Sequence, residues 1–137
     1  MNHFTIVLIL LGILFFCLIM NVLYYTNNTG IHYIIDIKNV PNDLVTDNKR
    51  LLAITDKCII DCQLNVLNQS KHEFSPQGLT VLYMLSESHL SMHTWPEKNL
   101  ICIDLFSCSN YNKCTEGMEY LKNEFKDCDV TVRNILR

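Results

Sequence analysis

Between Phe4 and Tyr25 the chain runs FTIVLILLGILFFCLIMNVLYY, apolar on every side and interrupted only by Thr5 and Asn21. A helix rising about 1.5 Å per residue needs roughly 20 such residues to cross the hydrocarbon of a bilayer. A core helix would be apolar along one stripe, so this segment predicts a membrane-spanning helix, with Tyr24 and Tyr25 at interface depth. A cleavable export signal is the competing reading. It calls for a basic start, a shorter apolar stretch and a small-residue cleavage site, and only the amino terminus and His3 precede Phe4 in the way of charge.

After the polar stretch Thr26–Gly30 the pattern changes to that of a folded domain. Residues 31–37 (IHYIIDI) are β-branched and aromatic and predict a strand. Pro41-Asn42-Asp43 reads as a turn opening a helix over about 43–57, with Leu44, Leu51, Leu52 and Ile54 on its apolar face. Residues 59–67 predict a second strand, and Asn68–Gln77 a polar loop. Three apolar runs come next, 79–85, 88–95 and 100–106, the last two joined tightly through Pro96–Asn99 and so expected to pair antiparallel. Met118, Leu121 and Phe125 mark a helix over 112–126, and 129–135 a closing strand. This order predicts an α+β fold: a two-layer sandwich of a mostly antiparallel sheet with helices on one face, preceded by one transmembrane helix. The domain organisation is an anchor over 1–26, a linker over 27–29 and a domain over 30–137.

Composition narrows the classes. With 137 residues, a formal charge of -3 and scattered lysines and arginines, the chain shows no basic stripe for nucleic acid. Its seven cysteines are odd in number and lack tight framework spacing, which argues against a disulfide scaffold. Cys58 and Cys62 have no second pair at zinc-ribbon spacing, so no metal site is expected. Asn27-Asn28-Thr29 and Asn68-Gln69-Ser70 fit the glycosylation pattern, a short match that occurs often by chance. No Lys or Arg flanks the apolar span before Lys38, so orientation is not readable from charge.

The densest chemistry lies in Ser86-Glu87-Ser88-His89-Leu90-Ser91-Met92-His93-Thr94-Trp95-Pro96-Glu97. Ser88 beside His89 and His93 fits a hydroxyl with a base in reach. Residue types alone fit a polar, half-exposed strand with satisfied histidines better.

This segment, together with Ile103-Asp104-Leu105-Phe106-Ser107-Cys108 downstream, resembles the signature of prokaryotic S-adenosylmethionine decarboxylases. The likeness extends to His72-Glu73-Phe74-Ser75-Pro76-Gln77-Gly78 and to Gly30-Ile31-His32. The resemblance implies a precursor that cuts itself between Glu87 and Ser88 and converts Ser88 into a pyruvoyl cofactor. It implies that His93 promotes processing, that Cys108 protonates the substrate carbon, that Phe74 stacks on adenine and that Glu97 holds the ribose. The substrate would be S-adenosylmethionine, and the enzyme a homodimer with sites shared between subunits. The chemistry is coherent: decarboxylating an amino acid needs an electron sink, which a pyruvoyl carbonyl supplies, and a thiol titrates near working pH. Another amino acid, arginine or ornithine, is the alternative substrate, and an inactive membrane-tethered homologue is the alternative of a different class. Thr80 stands where the family usually has a serine that assists processing; its hydroxyl remains, its methyl restricts χ1. The anchor is likewise outside the family pattern. A charged cytosolic substrate implies a domain facing the cytosol.

Spacing raises one difficulty. Ser88 and His93 are five apart, so a regular strand puts them on opposite faces. Their cooperation demands a bend or bulge near 87–89, with His89 on the His93 face in a supporting role.

Overall fold

The structure is a computed structural model that describes residues 3–26, 29–108 and 111–137. A single helix, α1 (His3–Thr26), is followed by β1 (Ile31–Lys38), α2 (Asn42–Val45), α3 (Asn48–Asp61) and β2 (Val66–Glu73). The chain continues through β3 (Leu79–Leu85), β4 (Ser88–Trp95), β5 (Leu100–Ser107), α4 (Tyr111–Glu124) and β6 (Asp129–Leu136). Residues 27 and 28 of the expected linker lie outside the described residues, as do the side chains of Tyr24 and Tyr25.

The six strands form one sheet in the order β2-β3-β4-β5-β1-β6, and every neighbouring pair is antiparallel. Alternation decides the faces. On β1, Ile31, Tyr33, Ile35 and Ile37 are buried while the residues between them are not. Through the register they share a face with Leu105, Ile103 and Ile101 of β5, and onward with Leu90 and Met92 of β4. Helices α3 and α4 cover this face. Gly117 lets α4 settle close: a Cβ there would stand 3.1 Å from Leu105 Cδ2 and 3.4 Å from Cys58 Sγ. A mid-helix glycine costs about 1 kcal/mol of helix propensity, which the tight contact with sheet and α3 offsets. Tyr83, fully buried, anchors β3 to α3 by donating to Asp56 Oδ1 at 2.7 Å, with Thr55 Oγ1 at 3.0 Å. Burial pushes its phenol up to about 12.

The helix expected over 43–57 is two helices. Thr46-Asp47 interrupts it, and Asp47 caps α3 by accepting from the Arg50 amide at 3.0 Å. The strand expected over 59–67 holds only at Val66 and Leu67. Thr55, Cys58, Ile59 and Cys62 recur at helical spacing and are buried together, so α3 runs to Asp61. The loop expected over 68–77 is largely strand: β2 pairs with β3 from Val66↔Leu85 to Glu73↔Leu79. As an edge strand exposed at every position, β2 shows no apolar alternation by which to be read.

Helix α1 contains a 19-residue stretch, Thr5–Leu23, of mean hydropathy 3.1 with none of it buried, long and apolar enough to cross a membrane.

Leu121 is fully buried between α4 and the sheet. Leu121→Ala should cost about 2–5 kcal/mol, seen as a lower urea midpoint at an unchanged slope; an unshifted midpoint would remove α4 from the core.

Candidate active site

Three segments converge at one end of the sheet. Ser86 and Glu87 form the two-residue turn of the β3–β4 hairpin, and Ser88 opens β4, paired with Leu85 on one side and Ser107 on the other. Ser88 has φ +155°, a backbone conformation that L residues rarely adopt. Its hydroxyl donates to the Phe106 carbonyl. The Glu87 carbonyl accepts from the Cys108 amide at 3.0 Å, so the acyl group of the Glu87–Ser88 bond faces a main-chain donor. Cys108 itself is exposed, just past the end of β5.

Gly30 completes this end. A Cβ on it would come within 2.6 Å of Ser107 O, 2.8 Å of Phe106 Cε2 and 3.1 Å of Cys108 Cα, so only glycine fits. Its amide donates to the Arg137 carbonyl at 2.9 Å, and the Arg137 amide donates back to the Gly30 carbonyl at 2.9 Å. The start of β1, the end of β6 and the Cys108 backbone are thereby locked together.

A second group sits at the other end of β4. His93 Nδ1 lies 3.0 Å from Thr80 Oγ1, its register partner on β3. Phe74 and Glu97 line one cavity of about 240 Å³ together with Gln77, Gly78, Trp95 and Pro96. The Phe74 ring, half exposed, meets the His72 ring edge-on at 4.6 Å. The two residues expected to hold a nucleoside are thus brought together, and Thr80 keeps its hydroxyl at the histidine.

The two groups do not meet within the chain. The irregularity required near 87–89 exists, as the turn at Ser86-Glu87 and the φ of Ser88. It lies at the start of the strand, however, and does not bend it further along. From His89 to His93 the pairing with β3 runs unbroken, from Met84↔His89 to Thr80↔His93. Five steps of about 3.3 Å leave Ser88 and His93 roughly 16 Å apart. The expected bend therefore fails to bring Ser88 and His93 together, because hydrogen bonding on both edges keeps β4 regular.

Between the groups, on the sheet face away from the helices, lies a cluster in which only His89 had been given a role, a supporting one. His32 Nε2 meets Asp104 Oδ1 at 2.9 Å, and the rings of His32, His89 and Phe106 stand 5.7–6.0 Å from one another. The Arg137 guanidinium lies 5.3 Å from the Phe106 ring centre. Burial, and next the neighbouring His32, hold His89 below its ordinary pKa. Period-two alternation from His89 to His93 was the one available signal; the Cys108 amide and the fit of Gly30 are backbone features that no residue pattern announces. Among the described residues no group of three His, Cys, Asp or Glu could hold a metal ion.

The chain resembles the crystal structure of the adenosylmethionine decarboxylase from Aquifex aeolicus, with a TM-score of 0.74 at 24% identity over 80% of this chain and 91% of that one. At that identity the likeness establishes the fold. The family profile of S-adenosylmethionine decarboxylase matches residues 31–137. An S-adenosylmethionine decarboxylase proenzyme of Thermoplasma volcanium is 35% identical over 108 residues, 79% of this chain and 83% of its own length. A proenzyme 2 of that name from Bacillus cereus is 36% identical, over 79% and 88%. The chain belongs to the S-adenosylmethionine decarboxylase family.

The reactive end can be tested in two ways. Gly30→Ala should push the Ser107–Cys108 backbone away and raise the exchange rate of the Cys108 amide by about tenfold or more, as expected when a hydrogen bond worth roughly 1.5 kcal/mol opens; unchanged protection would mean that the glycine is not needed there. Burial pushes the thiols of Cys114 up to about 12 and Cys102 up to about 11, and raises that of Cys58 as well. A maleimide near neutral pH should therefore modify exposed Cys108 before these three, and earlier labelling of any of them would contradict the burial pattern.

Proposed function

We propose that the chain is a self-processing precursor that decarboxylates S-adenosylmethionine through a pyruvoyl group made from Ser88, with each site shared between two copies. The observation that carries the reading is the Glu87–Ser88 bond itself. Its serine sits at φ +155° and its carbonyl takes the Cys108 amide. Such a backbone costs on the order of 1–3 kcal/mol, and breaking the bond releases it.

The Ser88 hydroxyl attacks the Glu87 carbonyl carbon, and the Cys108 amide stabilises charge that develops on the oxygen. The C–N bond breaks, leaving Glu87 as an ester on Ser88 with a free amine. Loss of the Ser88 α-proton then expels the Glu87 carboxylate, and water replaces the nitrogen, which leaves as ammonia. The resulting pyruvoyl group supplies the electron sink for decarboxylation. His93, hydrogen-bonded to Thr80, is the base for the α-proton. Exposed Cys108 returns a proton to the substrate carbon. Phe74 stacks on adenine and Glu97 accepts from the ribose hydroxyls.

His93, Thr80, Phe74 and Glu97 reach Ser88 from a second copy. A two-fold axis that crosses the strands, with the open sheet faces together, brings the His93 end of one β4 over the Ser88 end of the other. Leu82, Met84 and Ile135, each about half exposed on that face, suit such a contact. Helix α1 is a membrane anchor that precedes the domain over 30–137, with the domain in the cytosol, where the substrate is. A cavity holding an aromatic ring and a carboxylate favours a nucleoside-bearing substrate over arginine or ornithine.

Mass spectrometry of the expressed chain should find residues 1–87 and a pyruvoyl-capped 88–137, and CO2 should be released from S-adenosylmethionine but not from arginine or ornithine. Ser88→Ala should abolish both. An intact, inactive wild-type chain would support the inactive-homologue reading instead. Co-expression of Ser88→Ala with His93→Ala chains should restore splitting in a part of the mixture; none at all would mean that the site is not shared.

A further inference from the structure

Each protomer's anchor is joined to its domain by a very short tether. From Thr26 at the end of α1 to Gly30 are four residues, a reach of about 14 Å at roughly 3.5 Å per residue. Gly30 is fixed to the sheet by its bonds to Arg137 and its fit against Ser107 and Cys108. The reactive end of the sheet therefore lies within that reach of the anchor.

The shared site, with α1 as an anchor, then fixes how the dimer meets the bilayer, and the placement rests on both of those readings. Because the two copies of β4 run in opposite directions, the two β1 starts lie at opposite ends of the sandwich. Both anchors enter one membrane. If the strands stood upright, one start would be about 16 Å higher than the other, because Ile31 is level with Ser88, which faces the partner's His93 five residues along at roughly 3.3 Å each. A 14 Å tether cannot bridge that height, so the strands lie along the membrane. One edge of the sheet must then face the lipid. β1 is next to β6 and four strands from β2. With strands about 4.8 Å apart, β1 starts roughly 5 Å above a β6 edge but roughly 19 Å above a β2 edge. Only the first is within reach.

We propose that the β6 edge, with the adjoining half of α4, is a membrane-binding surface that seats on the headgroups of the bilayer holding α1. Both shared sites then stand three strand spacings, about 14 Å, above that surface, with the β2 edge turned to solvent. The chemistry of this edge fits phosphate-bearing headgroups. A cleft of about 360 Å³ between α4 and β6 is lined by Lys122, Asn123 and Lys126, with Glu119, Cys128 and Val130. Glu119, paired with Lys122 at 3.7 Å, together with Asp127 and Asp129 offsets these cations, so contact with the membrane is driven by the tether and not by net charge.

The test is photo-crosslinking of the full chain in phosphatidylcholine vesicles, with p-benzoylphenylalanine at Asn123 in the cleft or at Gln69 on β2, both exposed. The two edges are separated by about 24 Å, five strand spacings, so lipid adducts at Asn123 should exceed those at Gln69 by about fivefold or more. Equal yields, a reversed order or adducts at neither position, in chains that stay in the vesicles through a carbonate wash and still split at Ser88, would overturn the placement while leaving the anchor and the self-cleavage in force. A chain that washes off would remove the anchor and the placement together. A chain that stays but never splits fails the processing reading, and the adduct ratio still decides which edge faces lipid.

Discussion

A strand hydrogen-bonded on both sides is stiff, and β4 is such a strand. Paired with β3 from Ser88 to His93 and with β5 from Ser88 to Trp95, it cannot fold back on itself, so the residues at its two ends cannot share one centre. That rigidity explains how the candidate chemistry is laid out. The Glu87–Ser88 bond proposed for cleavage, the Cys108 amide on its carbonyl and the Cys108 thiol gather at the start of the strand. The imidazole, its threonine partner and the aromatic and acidic residues gather at the last. Each half is well built, and neither contains all the groups that the reaction uses.

The reactive half is made mostly by backbone. The φ of Ser88, the Cys108 amide on the Glu87 carbonyl and the Gly30 contact are main-chain features. They depend on the register of β5 against β1 and β4, and that register is set by the buried alternation of Ile101, Ile103 and Leu105. Packing under α4 thus determines where the Cys108 amide points. The same end is tied through Gly30 to the segment that follows α1.

How much of this was legible depended on which physical signal each element carries. β1, β3, β4, β5, β6 and α4 were readable because their apolar residues recur with the period of the structure they adopt. The boundary between α3 and β2 was misread because β2 is an exposed edge with nothing apolar to alternate, and because the β-branched pair Ile59-Ile60 hid a helical stripe through Thr55, Cys58, Ile59 and Cys62. The side chains of the candidate site were all identifiable from their motif. Their division into two groups was foreshadowed by the parity of Ser88 and His93; the irregularity expected near 87–89 is present at Ser86–Ser88 but leaves the two ends of β4 apart. Sequence parity states that two residues point apart; it does not state whether the chain bends or a second chain arrives.

Two copies must meet, on this account, before the Glu87–Ser88 bond breaks. The most direct measurement is the rate of self-cleavage of freshly made precursor over a dilution series, with sedimentation velocity recording the monomer fraction at each concentration. The rate per chain should fall in proportion to the loss of dimer, and monomer should remain intact. Cleavage at an undiminished rate in samples that sediment as monomer would contradict the shared site.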